Sequence, residues 1–353
     1  MLAAVLLLPV PVNAVSARSA VLMDARTGRI LYEKNMDKRS LIASTTKIMT
    51  ALVVSEQCNV LDRMRIPKEA VGIEGSSMYL KEGEVLTIQE LLYGLMLHSG
   101  NDAAVALAIY CGGTVEGFVE LMNDKARLLG LTGTHFANPN GLDHPDHYST
   151  ARDLAKLAAY AMENPVFSRT VSTKTLTLGQ RSMKNHNKLL WMLEGADGVK
   201  TGFTKAAGRV LVSSATRDGR RLIAVTIHDP NDWQDHTKLL EEGFRNYRQR
   251  QIIAAGQQLG VRYVLNGRED SVALLATEDF HYPLMDGETV TVVLPPPDFA
   301  YAPVAAGGEA GFGYICVDGH SVGKVPVIYG QTVEVKPVQK RSFWNRLVGG
   351  KDK

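Results

Sequence analysis

Apolar and polar positions alternate along the chain in two different textures. From Ala20 to about Arg250, short β-type runs are interleaved with amphipathic stretches. Ala20–Asp24, Thr27-Gly28 and Arg29–Tyr32 predict a hairpin that turns on a glycine. Between Ser44 and Val54, the residues Ile48, Met49, Leu52 and Val53 recur at helical spacing and predict one buried stripe. Glu90–Leu97 and Asp102–Tyr110 read as two helices split at Ser99-Gly100-Asn101. Thr150 and Asp153 form a capping-box-like start for a helix over Leu154–Met162. Arg209–Ser214 and Arg221–Thr226 predict strands joined through Asp218-Gly219, a strong hairpin signal, and a helix follows from Asp232 to Tyr247.

After Arg250 the texture changes. Short β-rich runs at Thr289–Leu294, Gly313–Val317 and Val325–Tyr329 alternate with Gly and Pro clusters, notably Pro295-Pro296-Pro297 and Gly307-Gly308. That pattern predicts a small all-β domain over 251–338, sandwich-like, behind an α+β domain over 18–250. The length of 353 residues fits two domains. Composition adds that both are globular, with 45% hydrophobic and 22% charged residues. Lys plus Arg number 39 against 37 Asp plus Glu, a net charge of +2, which argues against a nucleic-acid binder. The low share of aromatics, 7%, argues against stacking platforms for single strands too.

The first residues stand apart. Leu2–Val12 is apolar apart from Pro9 and Pro11, and Val12-Asn13-Ala14 and Val15-Ser16-Ala17 follow with small residues at A-x-A-like spacing. That predicts a signal peptide over 1–17 and an exported protein, although no Lys or Arg precedes the apolar run. The run is too short to span a bilayer. Cys58, Cys111 and Cys316 are odd in number and none forms a C-x-x-C pair, so no zinc or redox motif is expected. A Cys58–Cys111 bond stays open, with free thiols the plainer reading.

Three short motifs carry candidate chemistry. Ser44-Thr45-Thr46-Lys47 places a hydroxyl and an amine three apart, on one helical face. A serine becomes nucleophilic when a neighbouring base takes its proton, and a lysine can do so once burial or nearby charge lowers its pKa. Ser99-Gly100-Asn101 offers a hydroxyl for proton relay and a carboxamide for an amide substrate. Lys200-Thr201-Gly202 offers an ammonium and a hydroxyl to a carboxylate, with Gly allowing close approach to a strand edge. Each tripeptide or tetrapeptide alone is common, and Ser321-Val322-Gly323-Lys324 repeats the first by chance. In this order and context, they match the S-x-x-K, S-D-N and K-T-G set of class A β-lactamases and penicillin-binding proteins, with Gly100 replacing the middle Asp.

The sequence resembles the low-molecular-mass penicillin-binding proteins that are serine-type D-alanyl-D-alanine carboxypeptidases. Further matching segments are Phe136-x-Asn138-x-x-Gly141-Leu142, Ala151-Arg152-Asp153, Asn187–Leu190 and Asp197–Gly202. The resemblance implies a β-lactamase/transpeptidase-like catalytic domain, an antiparallel sheet flanked by helices, and a two-step acyl transfer on peptidoglycan stem peptides ending in D-Ala-D-Ala. Ser44 would be the nucleophile, Lys47 its base, and Ser99 the relay to the leaving D-alanine. Asn101 would position the substrate amide, Lys200, Thr201 and Gly202 the terminal carboxylate, and the Ser44 and Phe203 N–H groups the oxyanion. β-Lactams would acylate the same serine. No cofactor or metal is implied, and the expected location is the cell envelope or outside the cell.

The rival chemistries lack their parts. Gly319-His320-Ser321-Val322-Gly323 matches a nucleophile elbow but precedes a strand, and no His follows it. Glu120-Leu121-Met122-Asn123 falls one residue short of the β-lactamase E-x-x-L-N spacing and reads as a helix face. His144-Pro145-Asp146-His147 reads as a solvated loop rather than a metal site. The alternatives are a β-lactamase-like hydrolase and a penicillin-binding scaffold without turnover. In the tail over 339–353, Phe343, Trp344, Leu347 and Val348 would form one apolar stripe among basic residues, suited to peripheral contact with a membrane surface.

Overall fold

The computed structural model describes residues 15–337, and the chain divides into two compact units between Tyr247 and Arg248. Residues 1–14 of the expected leader and the whole expected surface tail lie outside the described residues. The leader's last three residues do not: Val15 and Ala17 are buried, and the Ser16 hydroxyl donates to Asp229 at 2.6 Å and Asp235 at 2.8 Å.

The first unit is built on five strands: β1 (Ser19–Asp24), β2 (Ile30–Lys34), β3 (Ala196–Thr204), β4 (Gly208–Arg217) and β5 (Arg220–Ile227). They form an antiparallel sheet in the order β2-β1-β5-β4-β3, so β3 lies at an edge. Period-two alternation buries both faces. Val21, Met23, Val212, Ile223 and Val225 pack into the larger core, whereas Leu22, Leu211, Leu222 and Ala224 pack on the other side. Each of the valine, leucine, isoleucine and methionine side chains contributes about 2 kcal/mol by leaving water.

Helix α8 (Asp232–Asn246) covers the second face, where its Leu239 and Leu240 are buried. The larger core receives α1 (Lys47–Gln57), α2 (Ile88–Leu97), α3 (Asn101–Gly112), α4 (Val115–Leu128), α5 (Ala151–Glu163) and α6 (Pro165–Ser172). The short α7 (Leu189–Met192) precedes β3. The helix expected from Ser44 begins differently: Ala43–Thr46 is a 3-10 turn, and α1 proper starts at Lys47. The Thr45 and Thr46 hydroxyls donate back to Ile42 O and Ala43 O, which holds the tighter turn.

The cap expected at Thr150 is half of a capping box. Asp153 N–H donates to Thr150 Oγ1, but the Asp153 carboxylate accepts from Gly133 and Thr134 instead. A complete box opens α2, between Thr87 and Glu90. Cys58, at the end of α1, and Cys111, near the end of α3, are both free thiols.

The second unit is all β, with a six-stranded sheet and a separate pair formed by Tyr247–Ile253 and Phe280–Met285. Ser321 lies on the strand His320–Tyr329, which hairpins with Glu309–Val317, so the elbow-like pentapeptide is a turn leading into a strand. Among the described residues, no single helix is long and apolar enough to cross a membrane.

Candidate active site

Ser44 sits on the 3-10 turn, next to Ala43, whose φ of 47° is left-handed. Lys47 opens α1 three residues later, and its Nζ lies 3.0 Å from Ser44 Oγ. The amine is fully buried and also donates to Asn101 Oδ1 at 2.7 Å and Asn140 O at 2.6 Å. Those two carbonyl oxygens only accept, whereas a serine hydroxyl can donate. A neutral amine has two N–H bonds and one lone pair, so it satisfies both carbonyls and accepts from Ser44. Burial and then the nearby Lys200 charge push Lys47 well below the usual lysine range, with Asp102 opposing them. Geometry and charge therefore both favour the base form.

Ser99 occupies the turn between α2 and α3 with φ 61°. A non-glycine residue there costs on the order of 1–2 kcal/mol, strain carried at a candidate site residue. Gly100 follows because a Cβ would stand 2.8 Å from Asp102 Oδ1 and 3.3 Å from Gly94 O. Asp102 has no freedom to yield, since it accepts from Ser77 Oγ and the N–H groups of Met78 and Leu80. Asn101 is committed on both sides of its carboxamide: Oδ1 accepts from Lys47, and Nδ2 donates to Glu74 O at 2.6 Å. It ties Lys47 to the loop that carries Ser76.

The third motif lies on the edge strand β3, against the turn that carries Ser44. A Cβ on Gly202 would be 3.0 Å from Ser44 N and 3.1 Å from Ile42 O, so glycine allows this approach. Lys200 is buried, donates to Thr201 O at 2.9 Å, and is brought by burial to about 7. A cleft of about 460 Å³ is lined by Ser44, Ser99, Thr201, Gly202 and Phe203, with Ser76, His186, Arg209, Asp232 and Trp233. Lys47, Asn101 and Lys200 stand behind that wall. Phe203 is 65% exposed at its rim.

Several contributors carried no sequence signal. Arg209 reaches the cleft from β4, its guanidinium donating to both Asp232 oxygens at 2.5 and 3.0 Å. Asn140 acts through a backbone carbonyl, which no side-chain pattern reveals. His147, expected in a solvated loop, is buried against Phe136. Its Nδ1 accepts from Ala137 N–H at 3.1 Å, so Nε2 carries the proton and donates to Thr46 Oγ1 at 2.7 Å. Thr46 donates in turn to Ala43 O at 2.8 Å. Burial lowers His147 to about 4, so the ring is neutral near pH 7.

His147 thus holds the residue before Ser44 through Thr46. His147→Phe keeps the ring shape but leaves buried partners unmatched, costing about 1–3 kcal/mol. The expected result is a lower melting temperature together with roughly tenfold slower acylation of Ser44 by benzylpenicillin. His147→Gln, which keeps an acceptor and a donor, should recover part of both.

Among the described residues, no three His, Cys, Asp or Glu side chains are grouped to hold a metal ion.

Comparison with known proteins matches residues 8–231 to the D-alanyl-D-alanine carboxypeptidase family and 247–335 to the penicillin-binding protein 5 C-terminal domain. The D-alanyl-D-alanine carboxypeptidase DacF of Bacillus subtilis is 34% identical over 349 residues, covering 94% of this chain and 89% of that protein. Penicillin binding protein 5 from Haemophilus influenzae superposes with a TM-score of 0.78 at 32% identity, covering 93% and 99% of the two chains. The Streptomyces K15 DD-transpeptidase covers 66% of this chain and 98% of its own at 38% identity and TM-score 0.64.

Proposed function

The chain belongs to the D-alanyl-D-alanine carboxypeptidase family, and from that premise we propose that its acyl transfer runs through Ser44. The protein is a serine peptidase that removes the terminal D-alanine from peptidoglycan stem peptides. Neutral Lys47 takes the Ser44 proton as Oγ attacks the carbonyl between the last two D-alanines. The oxyanion sits between the Ser44 and Phe203 N–H groups, where the turn and the β3 edge meet. Ser99 passes a proton to the leaving amine, replenished from Lys47, and D-alanine departs. Water then hydrolyses the ester, its proton returning through the same lysine.

The substrate backbone lies along the free edge of β3, where an extended peptide adds as a further strand. Thr201 contacts the terminal carboxylate, while Lys200 supplies charge from behind it and Arg209 from across the cleft. The observation that carries this reading is the Lys47 amine, buried and poised on Ser44 at 3.0 Å. Working on wall peptides places the protein in the cell envelope. Export by the leader and surface contact by the tail extend that reading to the outer face of the cytoplasmic membrane.

Brief exposure to benzylpenicillin, followed by intact-mass analysis and peptide mapping, should give a stable adduct on Ser44. D-Alanine should be released from a tripeptide ending in D-Ala-D-Ala. Rapid drug turnover without an adduct would instead mark a β-lactamase, and an adduct without D-alanine release an idle scaffold. No adduct at Ser44 overturns the assignment.

A further inference from the structure

The sequence offers two equivalent ends for the leader. Val12-Asn13-Ala14 and Val15-Ser16-Ala17 have the same spacing, so the pattern alone does not choose between a cut after Ala14 and one after Ala17. The structure treats the second tripeptide as part of the catalytic unit. Val15 and Ala17 are buried and join Ala20, Leu22, Leu239 and Leu240 in the apolar cluster beneath α8. Arg18 N–H donates to Ile227 O at 3.1 Å, so the segment continues the line of β1 beside β5. From β2, Lys34 Nζ donates to Val15 O at 2.8 Å.

Ser16 makes the polar half of this contact. Its N–H donates to Asp235 Oδ2 at 2.6 Å, and its hydroxyl stands 2.6 Å from Asp229 Oδ1 and 2.8 Å from Asp235 Oδ2. A hydroxyl has one proton and serves one carboxylate at a time. Asp229 is only 1% exposed. Its Oδ1 also accepts from Asn231 N–H at 3.1 Å, but Oδ2 is buried without a hydrogen-bond partner. Burial pushes the Asp229 carboxyl up, and the Asp235 charge adds to that. Two carboxylates therefore meet around Ser16 with an oxygen left over, and a positive donor would complete the group. With Ser16 N 2.6 Å from Asp235 Oδ2, the Val15 nitrogen one residue earlier lies within about 6 Å of that oxygen.

We propose that the chain is cut between Ala14 and Val15 during export, and that the α-ammonium freed on Val15 is the cation that Asp229 and Asp235 take. The inference rests on the export reading above and goes beyond it, naming the bond and what its cleavage supplies to the fold. A leader peptidase of the exporting membrane makes the cut, with water as co-reactant. The peptide C–N bond breaks, the water oxygen joins Ala14 as a carboxylate, and both water protons join the Val15 nitrogen as an ammonium. An α-amino group, with an ordinary pKa of about 7.7–8.0, is mostly charged at pH 7, and two carboxylates favour that form. A cut after Ala17 would instead remove two buried apolar side chains and all three Ser16 contacts, leaving Asp229 and Asp235 facing each other.

The test has two parts. The full chain is expressed with its leader in an exporting bacterium, purified from the envelope fraction, and read by N-terminal sequencing and intact mass. The expected sequence begins Val-Ser-Ala-Arg. A start at Arg18, or at any other residue within the chain, overturns the inference and leaves export standing. A chain that keeps residues 1–14 overturns both, while a benzylpenicillin adduct in the same spectra reports on Ser44 independently. The ammonium is then tested by melting. Protein beginning at Val15 is compared with the same chain carrying one extra glycine before it, which moves the charge by a residue. The extended form should melt about 2–4 °C lower, and the gap should close in Asp229→Asn and in Asp235→Asn. Equal melting of the two wild-type forms overturns the ammonium contact, as does a gap that persists in either variant.

Discussion

Lys47→Met is expected to slow acylation by roughly 10³-fold, the scale of a lost general base, while the chain still folds. Methionine has nearly the length of lysine and needs no charge in a site where the amine is fully buried. What it removes is the acceptor for the Ser44 proton and the donor to Asn101 Oδ1 and Asn140 O. The second loss lowers stability by about 1–3 kcal/mol, so melting is measured beside the benzylpenicillin acylation rate. Acylation within tenfold of wild type would mean that another group takes the proton.

The pH dependence follows from the same pair of lysines. Burial and then the nearby Lys200 charge push Lys47 well below the usual lysine range, while burial brings Lys200 to about 7. On the proposed mechanism Lys47 works when neutral, so the rate should fall on the acid side as it gains a proton. On the same mechanism Lys200 works when charged, so kcat/KM should fall as pH rises through about 7. The profile should be bell-shaped for peptides ending in a carboxylate. A substrate ending in D-alanine amide should keep the acid limb and lose the alkaline one. An unchanged alkaline limb would remove Lys200 from carboxylate binding.

Gly141→Ala should be the most damaging single-methyl change in the catalytic unit. Gly141 has φ +88°, and a Cβ there would stand 2.0 Å from Ala43 O and 2.5 Å from Ala43 C. Both atoms are backbone, so a rotamer change cannot relieve the overlap. Left-handed strain of about 1–2 kcal/mol adds to overpacking of about 1–3 kcal/mol, which corresponds to roughly 10 °C in melting temperature. Separation of the two segments also moves Ser44 away from Asn140, whose carbonyl anchors Lys47, so acylation should fall with stability. Gly130→Ala is the control: φ is +64° but nothing lies within 4 Å of a Cβ, so only the strain remains. Equal melting losses in the two variants would show that the contact with Ala43 is unimportant.

Much of the first unit was legible along the chain. The apolar runs in Arg209–Ser214 and Arg221–Thr226 matched strands β4 and β5, because a sheet packed on both faces needs apolar residues at successive positions. The stripe Ile48, Met49, Leu52 and Val53 matched the buried side of α1. Where the reading missed, a distant partner had overridden a local preference. Asp153 gave its carboxylate to Gly133 and Thr134 rather than to its own helix cap. His147 left water for a pocket beside Phe136, although His144, Pro145 and Asp146 just before it are exposed.

The sequence by itself determined which chemical groups are present and how each is presented locally: Ser44 and Lys47 three apart, Ser99 on a turn, and Lys200–Phe203 on a strand. Those facts depend on dihedral preferences and side-chain spacing within a few residues. Only the tertiary structure decided that Lys47 lies dry between Asn101 and Asn140, that Gly202 brings β3 against Ser44, and that Arg209, His186 and His147 join the site. Burial and charge–charge coupling act through space, between segments far apart in the chain. The Lys47 amine falls below the usual lysine range only once folding has removed its water and set a second ammonium nearby.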